Sequence, residues 1–244
     1  MNLYIFSGEK GCRLAVEKQA IAIVVDALRA SATLSVLFQL KVSEVFVVPE
    51  VELAFNLKNK HPEALLVGER NNIKIEGFDF GNSPVEILNA GEEVFKGKKV
   101  IFTSTSGARR IIACKGAKAV LVGSCINAKA VSEIALNIAK KENADIVVIP
   151  AGVFGKKEWS TEDLYAGSFI ANKFPLSVKA MFPEVKENKD LKSAFFNSCH
   201  GKELIKAGFE KDVEFCSKAD VINAVPRVFS FERDTAILKT YAII

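Results

Sequence analysis

The sequence contains few of the residues on which zinc sites and disulfide frameworks depend. It has two histidines in 244 residues, and its five cysteines are scattered and never arranged as CxxC. Reduced thiols in apolar surroundings explain these cysteines better than disulfides or a zinc site. They are Cys12, Cys114, Cys125, Cys199 and Cys216.

Long apolar runs and clustered charge are also missing. No apolar run reaches the length that spans a membrane, and the first residues lack the basic and apolar segments of a signal peptide. We therefore expect a cytoplasmic protein without a membrane partner. The net charge of +4 comes from interspersed acids and bases, without a basic block, so we expect no nucleic-acid partner.

Short β-branched runs alternate with segments of helical spacing along most of the chain. Most of the runs are apolar throughout, which is typical of parallel strands covered on both faces. The alternation predicts an α/β fold: three α/β/α layers around a largely parallel sheet. The expected strands are 2–6, 20–25, 44–48, 64–67, 99–102, 119–122 and 145–149, and the expected helices are 31–40, 51–60, 84–89, 108–114, 128–140 and 161–172.

The pattern is less regular after about residue 193. Residues 197–206 and 210–217 have helical spacing, whereas 221–231 and 236–244 either return as strands or cover the sheet. Three strand-to-helix junctions, at 26–31, 103–107 and 150–163, are rich in hydroxyl or carboxylate side chains. We interpret them as loops of related units that converge on one site.

The segment 68–86 holds five polar candidates between two regular elements: Glu69, Arg70, Asp79, Asn82 and Ser83. It follows an apolar strand, and open α/β sheets bind their ligands at the carboxyl ends of strands. Ser83 is followed by proline and, two residues later, by Glu86, which predicts a capped helix start.

Helix amino termini can bind phosphate or sulfonate through unpaired N–H groups. The run Thr103, Ser104, Thr105, Ser106 and Gly107 adds four hydroxyl side chains to such a terminus. A simple capping role is the alternative for each junction, Ser160 with Asp163 included. Convergence of three junctions favours the anion site.

Charged side chains lie at the same junctions. Arg29 and Arg70 could hold phosphate or sulfonate in fork geometry, or pair with surface carboxylates. Carboxylates with water and substrate phosphate are the usual ligands of Mg²⁺. The candidate metal ligands are Asp26, Glu69, Asp79, Glu162 and Asp163. Taken singly, Asp79 or Glu162 is more often a cap or a surface charge, whereas Asp26 ends an apolar run where an unpaired charge is costly.

Phosphate-monoester hydrolysis can require up to ~10²¹-fold acceleration, or roughly 28 kcal/mol. Backbone donors at about 3–4 kcal/mol each do not reach this value, so a divalent metal is the missing contribution. Other phosphatase classes are excluded by the residues. Position 28 is leucine where a haloacid-dehalogenase site needs aspartate, no cysteine begins a C-x5-R loop, and neither His61 nor His200 lies in an RHG context. We interpret His200 as structural.

Four segments carry a wider pattern: VVDALRASAT (24–33), GERNNIKIEGFDFGNSPVE (68–86), TSTSGARR (103–110) and WSTEDLYAG (159–167). Together they resemble the 2-phosphosulfolactate phosphatase family. The resemblance implies one catalytic unit over residues 1–244, built of two similar intertwined α/β halves. It also implies a Mg²⁺-dependent phosphatase that converts (R)-2-phospho-3-sulfolactate to 3-sulfolactate and phosphate, a step of coenzyme M biosynthesis.

Two departures from the family pattern concern selectivity. The family usually has Thr-Thr-Thr-Asn-Gly where this chain has Thr103–Gly107, so the hydroxyls remain but Ser106 lacks an amide. The loop 155–159 also differs and bears on the non-reacting end of the substrate. Trp159 in that loop is expected to pack on the following helix, with a lid as the alternative.

We expect Asp26, Glu69 and Asp163 to bind Mg²⁺ or activate water. The expected substrate-binding residues are Arg29, Arg70, Asn82, Ser83, Thr103, Ser104, Thr105 and Gly107. The expected partners are a small anionic phosphomonoester and, as an option, a second copy of the chain. The alternatives are a phosphatase of another 2-hydroxy-acid phosphate and a non-catalytic protein that binds an anionic metabolite.

Overall fold

A computed structural model describes residues 1–152, 160–175, 177–181 and 190–241. Its strands form one sheet, with helices on both sides. The strands are β1 (Asn2–Ile5), β2 (Ile21–Val25), β3 (Glu44–Val47), β4 (Leu65–Arg70), β5 (Ile73–Lys74), β6 (Lys99–Thr103), β7 (Ala119–Val122), β8 (Ile146–Pro150), β9 (Lys179–Met181), β10 (Pro226–Glu232) and β11 (Thr235–Thr240).

The helices alternate with the strands through most of the chain, which confirms the predicted α/β fold. They are α1 (Gly8–Glu17), α2 (Ala30–Gln39), α3 (Val51–Lys60), α4 (Pro84–Ala90), α5 (Glu92–Phe95), α6 (Gly107–Ala113), α7 (Ala128–Glu142), α8 (Thr161–Ala171), α9 (Leu191–Asn197), α10 (Cys199–Lys206) and α11 (Glu210–Cys216). In the described part of the chain, no helix is long and apolar enough to span a membrane. All five cysteines are free thiols, as predicted, but only four are buried, because Cys199 is exposed.

Some elements escaped the sequence-based prediction. Helix α1 was missed because Gly8 and Gly11 lower its helix propensity. A Cβ at Gly11 would lie 2.0 Å from the backbone oxygen of Phe6, so this close approach requires glycine. The helix predicted over 197–206 begins two residues later, as α10, because Ser198 ends α9 and caps α10 by accepting a hydrogen bond from the N–H of Gly201.

The sheet has the order β5-β4-β6-β3-β11-β10-β7-β2-β8-β1-β9. Strands β4, β6 and β3 are parallel to one another, as are β7, β2, β8, β1 and β9. The antiparallel hairpin β10–β11 joins the two groups, so residues 221–244 do contribute strands. Three antiparallel steps separate β3 from β7, and the two groups therefore run in opposite directions.

A flat sheet of this order would place the carboxyl ends of the two groups at opposite edges. The structure brings them together: a Cβ at Gly107, which follows β6, would lie 2.8 Å from the Asp26 carboxylate, which follows β2. Right-handed twist accumulates across the strands between them. The sheet is also weakly held at this point, because β10 pairs with β7 through Arg227 and Leu121 alone.

Helix α2 lies at the centre of this arrangement. Residues 30–38 are all buried, which is typical of a helix enclosed on every side. It packs against α4 and α6 as well as against β7 and the hairpin strand β10. Its amino terminus follows Asp26 directly, and this fixes the end of β2 at the middle of the molecule.

Asn127 connects three segments beside α2. Its Nδ2 donates to Ser35 Oγ and to the carbonyl oxygen of Ala224, both at 3.1 Å, and its Oδ1 accepts from the N–H of Ser124 at 2.9 Å. The side chain is fully buried. These bonds hold the segment that leads into β10 against the end of β7.

We expect Asn127→Ala to lower the free energy of unfolding by about 2–4 kcal/mol, because it leaves buried backbone groups of Ser124 and Ala224 without partners. Urea denaturation would measure the change. Asn89→Ala is the control, since Asn89 is exposed on α4. Equal stability of the two variants would contradict this role of Asn127.

Candidate active site

Four of the predicted carboxylates meet at the carboxyl ends of the strands. Asp26 follows β2, Glu69 lies in β4, and Glu162 and Asp163 open α8. All four are at least nine-tenths buried. Asp26 interacts electrostatically with Glu69 and with Asp163, and Asp163 with Glu162. The loops predicted to converge therefore do so.

Asp26 is the centre of this cluster. Its Oδ1 accepts from the N–H of Ala30, at the start of α2, at 3.4 Å, and its carboxylate also accepts from the N–H of Gly107. Burial, reinforced by the negative charge of Glu69, raises the pKa of Asp26 to about 6, although His200 and the two N–H groups oppose the shift. The absence of a side chain at Gly107 permits the close approach.

Glu69 is held by the hydroxyl-rich loop. Its Oε1 accepts from the N–H of Thr105 at 2.7 Å, and its Oε2 accepts from Thr105 Oγ1 at 3.1 Å and from the N–H of Asn72 at 3.0 Å. Ser104 Oγ accepts from the N–H of Ala108 at 3.0 Å and so caps α6. Thr105 of this loop therefore donates two hydrogen bonds to the Glu69 carboxylate of the site.

Asp163 joins the ends of two neighbouring strands. Its Oδ1 accepts from the N–H of Ala27 at 2.7 Å, and its Oδ2 accepts from the N–H of Gly152 at 3.0 Å. Burial and the charges of Asp26 and Glu162 nevertheless raise the pKa of Asp163 well above its ordinary value. The side chain of Ser160 makes no capping hydrogen bond to the backbone of α8, in contrast to the predicted capping role, whereas Ser83 caps α4 as predicted.

His200, which sequence analysis assigned to structure, lies inside this cluster. Its Nδ1 is 3.4 Å from Glu162 Oε1, and its Nε2 is 2.9 Å from Asn72 Oδ1. Burial alone would lower the pKa of His200, but Glu162 and Asp26 raise it above its ordinary value. Burial would likewise raise the pKa of Glu162, but hydrogen bonds from His200 and Ser160 lower it.

Arg29 has a different environment from the expected anion site. Its Nη1 lies 2.7 Å from Asp212 Oδ2, both side chains are 2% exposed, and its guanidinium lies over the ring of Phe209. Ser83 Oγ donates to the other oxygen of Asp212 at 2.7 Å. Two predicted substrate-binding residues are thus joined by Asp212 on α11, because a buried guanidinium needs a counter-charge. No sequence signal pointed to Asp212.

Arg70 and Asn82 lie beside the carboxylates. They differ in whether their polar atoms have hydrogen-bond partners. Arg70 links two strand ends, since its Nη2 donates to Thr103 Oγ1 at 2.9 Å and to the carbonyl oxygen of Pro49 at 2.7 Å. Asn82 is buried, and its Oδ1 has no hydrogen-bond partner. A buried amide oxygen without a partner is available to a donor group of a ligand.

Asp79 is not brought into the cluster. It is exposed, and its Oδ2 accepts from the N–H of Leu66 at 2.7 Å. Leu66 precedes Glu69 by three residues in β4, about 10 Å along the strand. This hydrogen bond holds the loop around Asp79 against β4. The loop 155–159 with Trp159 lies outside the described residues.

The carboxylates do not form a complete protein-only metal site. Among the described residues, no group of three or more His, Cys, Asp and Glu side chains is arranged to hold a metal ion. Mg²⁺ commonly takes one or two carboxylates and completes its shell with water and substrate phosphate. The oxygen donors of Asp26 and Glu69, whose charges repel, fit that pattern.

Comparison with known proteins supports this interpretation. A protein-family model described as 2-phosphosulpholactate phosphatase matches residues 10–230. The chain belongs to the 2-phosphosulfolactate phosphatase family. The resemblance seen in the sequence is thereby confirmed. The assignment of the chain to the phosphoric monoester hydrolases is confirmed as well.

Members of the 2-phosphosulfolactate phosphatase family from several bacteria align with most of the chain. A protein of Clostridium acetobutylicum is 35% identical over 220 residues, 86% of this chain and 90% of its own, and one of Carboxydothermus hydrogenoformans is 34% identical over 211 residues, 84% of each. A protein of Clostridium tetani is 30% identical over 235 residues, 93% of this chain and 97% of its own. All three are named "Probable 2-phosphosulfolactate phosphatase".

We expect Asp212→Ala to lower the free energy of unfolding by about 3–5 kcal/mol, because it leaves the Arg29 guanidinium buried without a counter-charge. Chemical denaturation at neutral pH would measure it. Glu214→Ala is a matched control on the same helix, since its pair with Lys192 is exposed, and we expect little change there. Comparable losses of unfolding free energy in both variants would refute the role of Asp212 as the counter-charge of Arg29.

We expect Asp26→Asn to stabilise the protein increasingly as pH rises. The folded-state pKa of about 6 lies above the ordinary 3.8, so the stability that the protonated carboxyl provides is complete below about pH 4 and is lost as pH rises through about 6. The difference between these two pKa values corresponds to about 3 kcal/mol of folding stability. Urea denaturation of both proteins at pH 4 and pH 8 in EDTA would test this; a difference independent of pH would rule it out.

Proposed function

We propose that this protein is a Mg²⁺-dependent phosphatase that hydrolyses (R)-2-phospho-3-sulfolactate to 3-sulfolactate and phosphate in the cytoplasm, a step of the coenzyme M biosynthesis type. The observation that carries the proposal is the meeting of Asp26, Glu69 and Asp163 from three separate strand ends in one cluster. The names of the related proteins support the substrate.

The carboxylates require a positive charge that the protein supplies only in part. Burial and mutual repulsion raise the pKa values of Asp26 and Asp163, so the ionised cluster is unfavourable as it stands. Asp26 and Glu69 would hold Mg²⁺, with Asp163 beside them. The ion would neutralise charge on the phosphoryl oxygens and lower the pKa of a bound water.

The reaction transfers a phosphoryl group to water. The oxygen of water forms a bond to phosphorus, the bond from phosphorus to the ester oxygen breaks, and the proton that water loses ends on the released alkoxide. Asp26, whose pKa burial raises to about 6, would accept that proton from water and pass it to the alkoxide. The N–H groups of Ala30 and Gly107 and the positive end of α2 also favour anions at this position.

The substrate carries two further acid groups, a carboxylate and a sulfonate. Arg70 is the partly exposed guanidinium beside Thr103, and Asn82 offers a buried oxygen without a partner. Together with Ser104 and Thr105 these residues would bind the substrate. Arg29 and Ser83 contribute through Asp212, which fixes the loops that carry them.

We expect the purified protein to release phosphate from 2-phosphosulfolactate, to lose this activity in EDTA and to regain it with Mg²⁺. Asp26→Asn should lower kcat by about 10²- to 10⁴-fold, because it removes the proton acceptor. Asp234→Asn, in the exposed turn between β10 and β11, should retain full activity. Phosphate release would be followed colorimetrically.

The same assay distinguishes the alternatives. Faster turnover of a phosphorylated 2-hydroxy acid without sulfonate, such as phosphoglycolate or phospholactate, would replace the proposed substrate. Absence of release from every phosphomonoester, with any metal and at any pH, would favour a protein that only binds an anionic metabolite.

A further inference from the structure

Asn72, to which the sequence analysis assigned no role, contacts three parts of the site. It lies in the two-residue turn between β4 and β5, where Asn71 and Asn72 have φ values of 51° and 68°. Positive φ at both central residues is the geometry of a type I′ hairpin turn, for which asparagine is favoured. The turn geometry alone would therefore explain both asparagines.

The contacts of Asn72 go beyond that requirement. Its N–H donates to Glu69 Oε2 at 3.0 Å, its carbonyl oxygen accepts from Arg29 Nη2 at 3.2 Å, and its side-chain Oδ1 lies 2.9 Å from His200 Nε2. Asn71 occupies the same turn, is exposed and makes none of these contacts. The two residues share a backbone conformation and differ in their side-chain environment.

The imidazole of His200 joins the two sides of the cluster. Its other nitrogen faces Glu162 at the start of α8, on the side of β8, whereas Asn72 belongs to the hairpin after β4 at the opposite end of the sheet. The ring is 32% exposed, so no core packing encloses it. Hydrogen bonds that its ring nitrogens donate to Glu162 and Asn72 therefore fix its position.

We propose that Asn72 is a positioning residue of the active site, which holds His200 against Glu162 and thereby sets the spacing between the carboxylates of the two strand groups. The inference rests on the proposed phosphatase function. It predicts that the side chain of Asn72 matters for turnover although it touches neither the reacting phosphoryl group nor the expected metal.

The test compares Asn72→Gly with Asn71→Gly. Glycine accepts positive φ at both positions, and the backbone groups of residue 72 that contact Glu69 and Arg29 remain in place. We expect Asn72→Gly to lower kcat about 10- to 100-fold with little change in KM or Tm, because small displacements of catalytic groups are costly. Asn71→Gly should stay within about 2-fold of the wild type. Equal effects of the two substitutions would overturn the proposal.

A second measurement follows the histidine directly. The chain has two histidines, and His61, which stacks on Phe46, serves as an internal reference. In ¹⁵N-labelled protein, assigned with His61→Gln, we expect Asn72→Gly but not Asn71→Gly to shift the His200 Nε2 signal. Unchanged His200 signals in Asn72→Gly would refute the contact even if the wild type hydrolyses no phosphomonoester, which would contradict only the proposed function.

Two further variants separate positioning from a general loss of stability. Asn72→Asp keeps an acceptor oxygen and tolerates positive φ, so it should recover part of the activity. In a His200→Gln background, Asn72→Gly should change kcat by less than about 2-fold, because its effect passes through the imidazole. Additive losses of kcat in the double variant would contradict an effect of Asn72 that passes through His200. So would the absence of any recovered activity in Asn72→Asp.

Discussion

The structure of the site depends on repulsion among buried carboxylates and on the groups that balance it. Burial and neighbouring negative charges raise the pKa values of Asp26 and Asp163, and Asp26, Glu69 and Asp163 each accept hydrogen bonds from backbone N–H groups. These donors come from turns that lead into helices, so the fold supplies them without further side chains. The cluster is thus costly when empty of cations and suited to a substrate complex that brings positive charge.

The groups that balance the charges of the site come from segments that are far apart in the chain. Asp212 on α11 neutralises Arg29, and His200 on α10 faces Glu162. Both helices belong to the region where the sequence pattern is least regular. The carboxyl-terminal third therefore supports loops whose motifs lie between residues 24 and 167, and substitutions there should act on the site through Arg29 and Glu162.

The sheet explains how one cluster draws on both strand groups. Its groups run in opposite directions and are joined by the β10–β11 hairpin, while α2 packs against β7 and against β10 of the hairpin. Twist and the single residue pair between β10 and β7 allow the carboxyl ends to face one another. Whether the two groups are similar intertwined halves stays a prediction.

The sequence by itself determined most strands, most helices and the four carboxylates, because buried strands, caps and polar strand ends leave local patterns that do not depend on distant residues. Tertiary structure alone decided that Arg29 pairs with Asp212, that Asp79 stays outside the cluster and that His200 and Asn72 belong beside it. Such pairings join residues up to 183 positions apart. They follow from the twist of the sheet and the need of each buried charge for a partner, neither of which has a local signature.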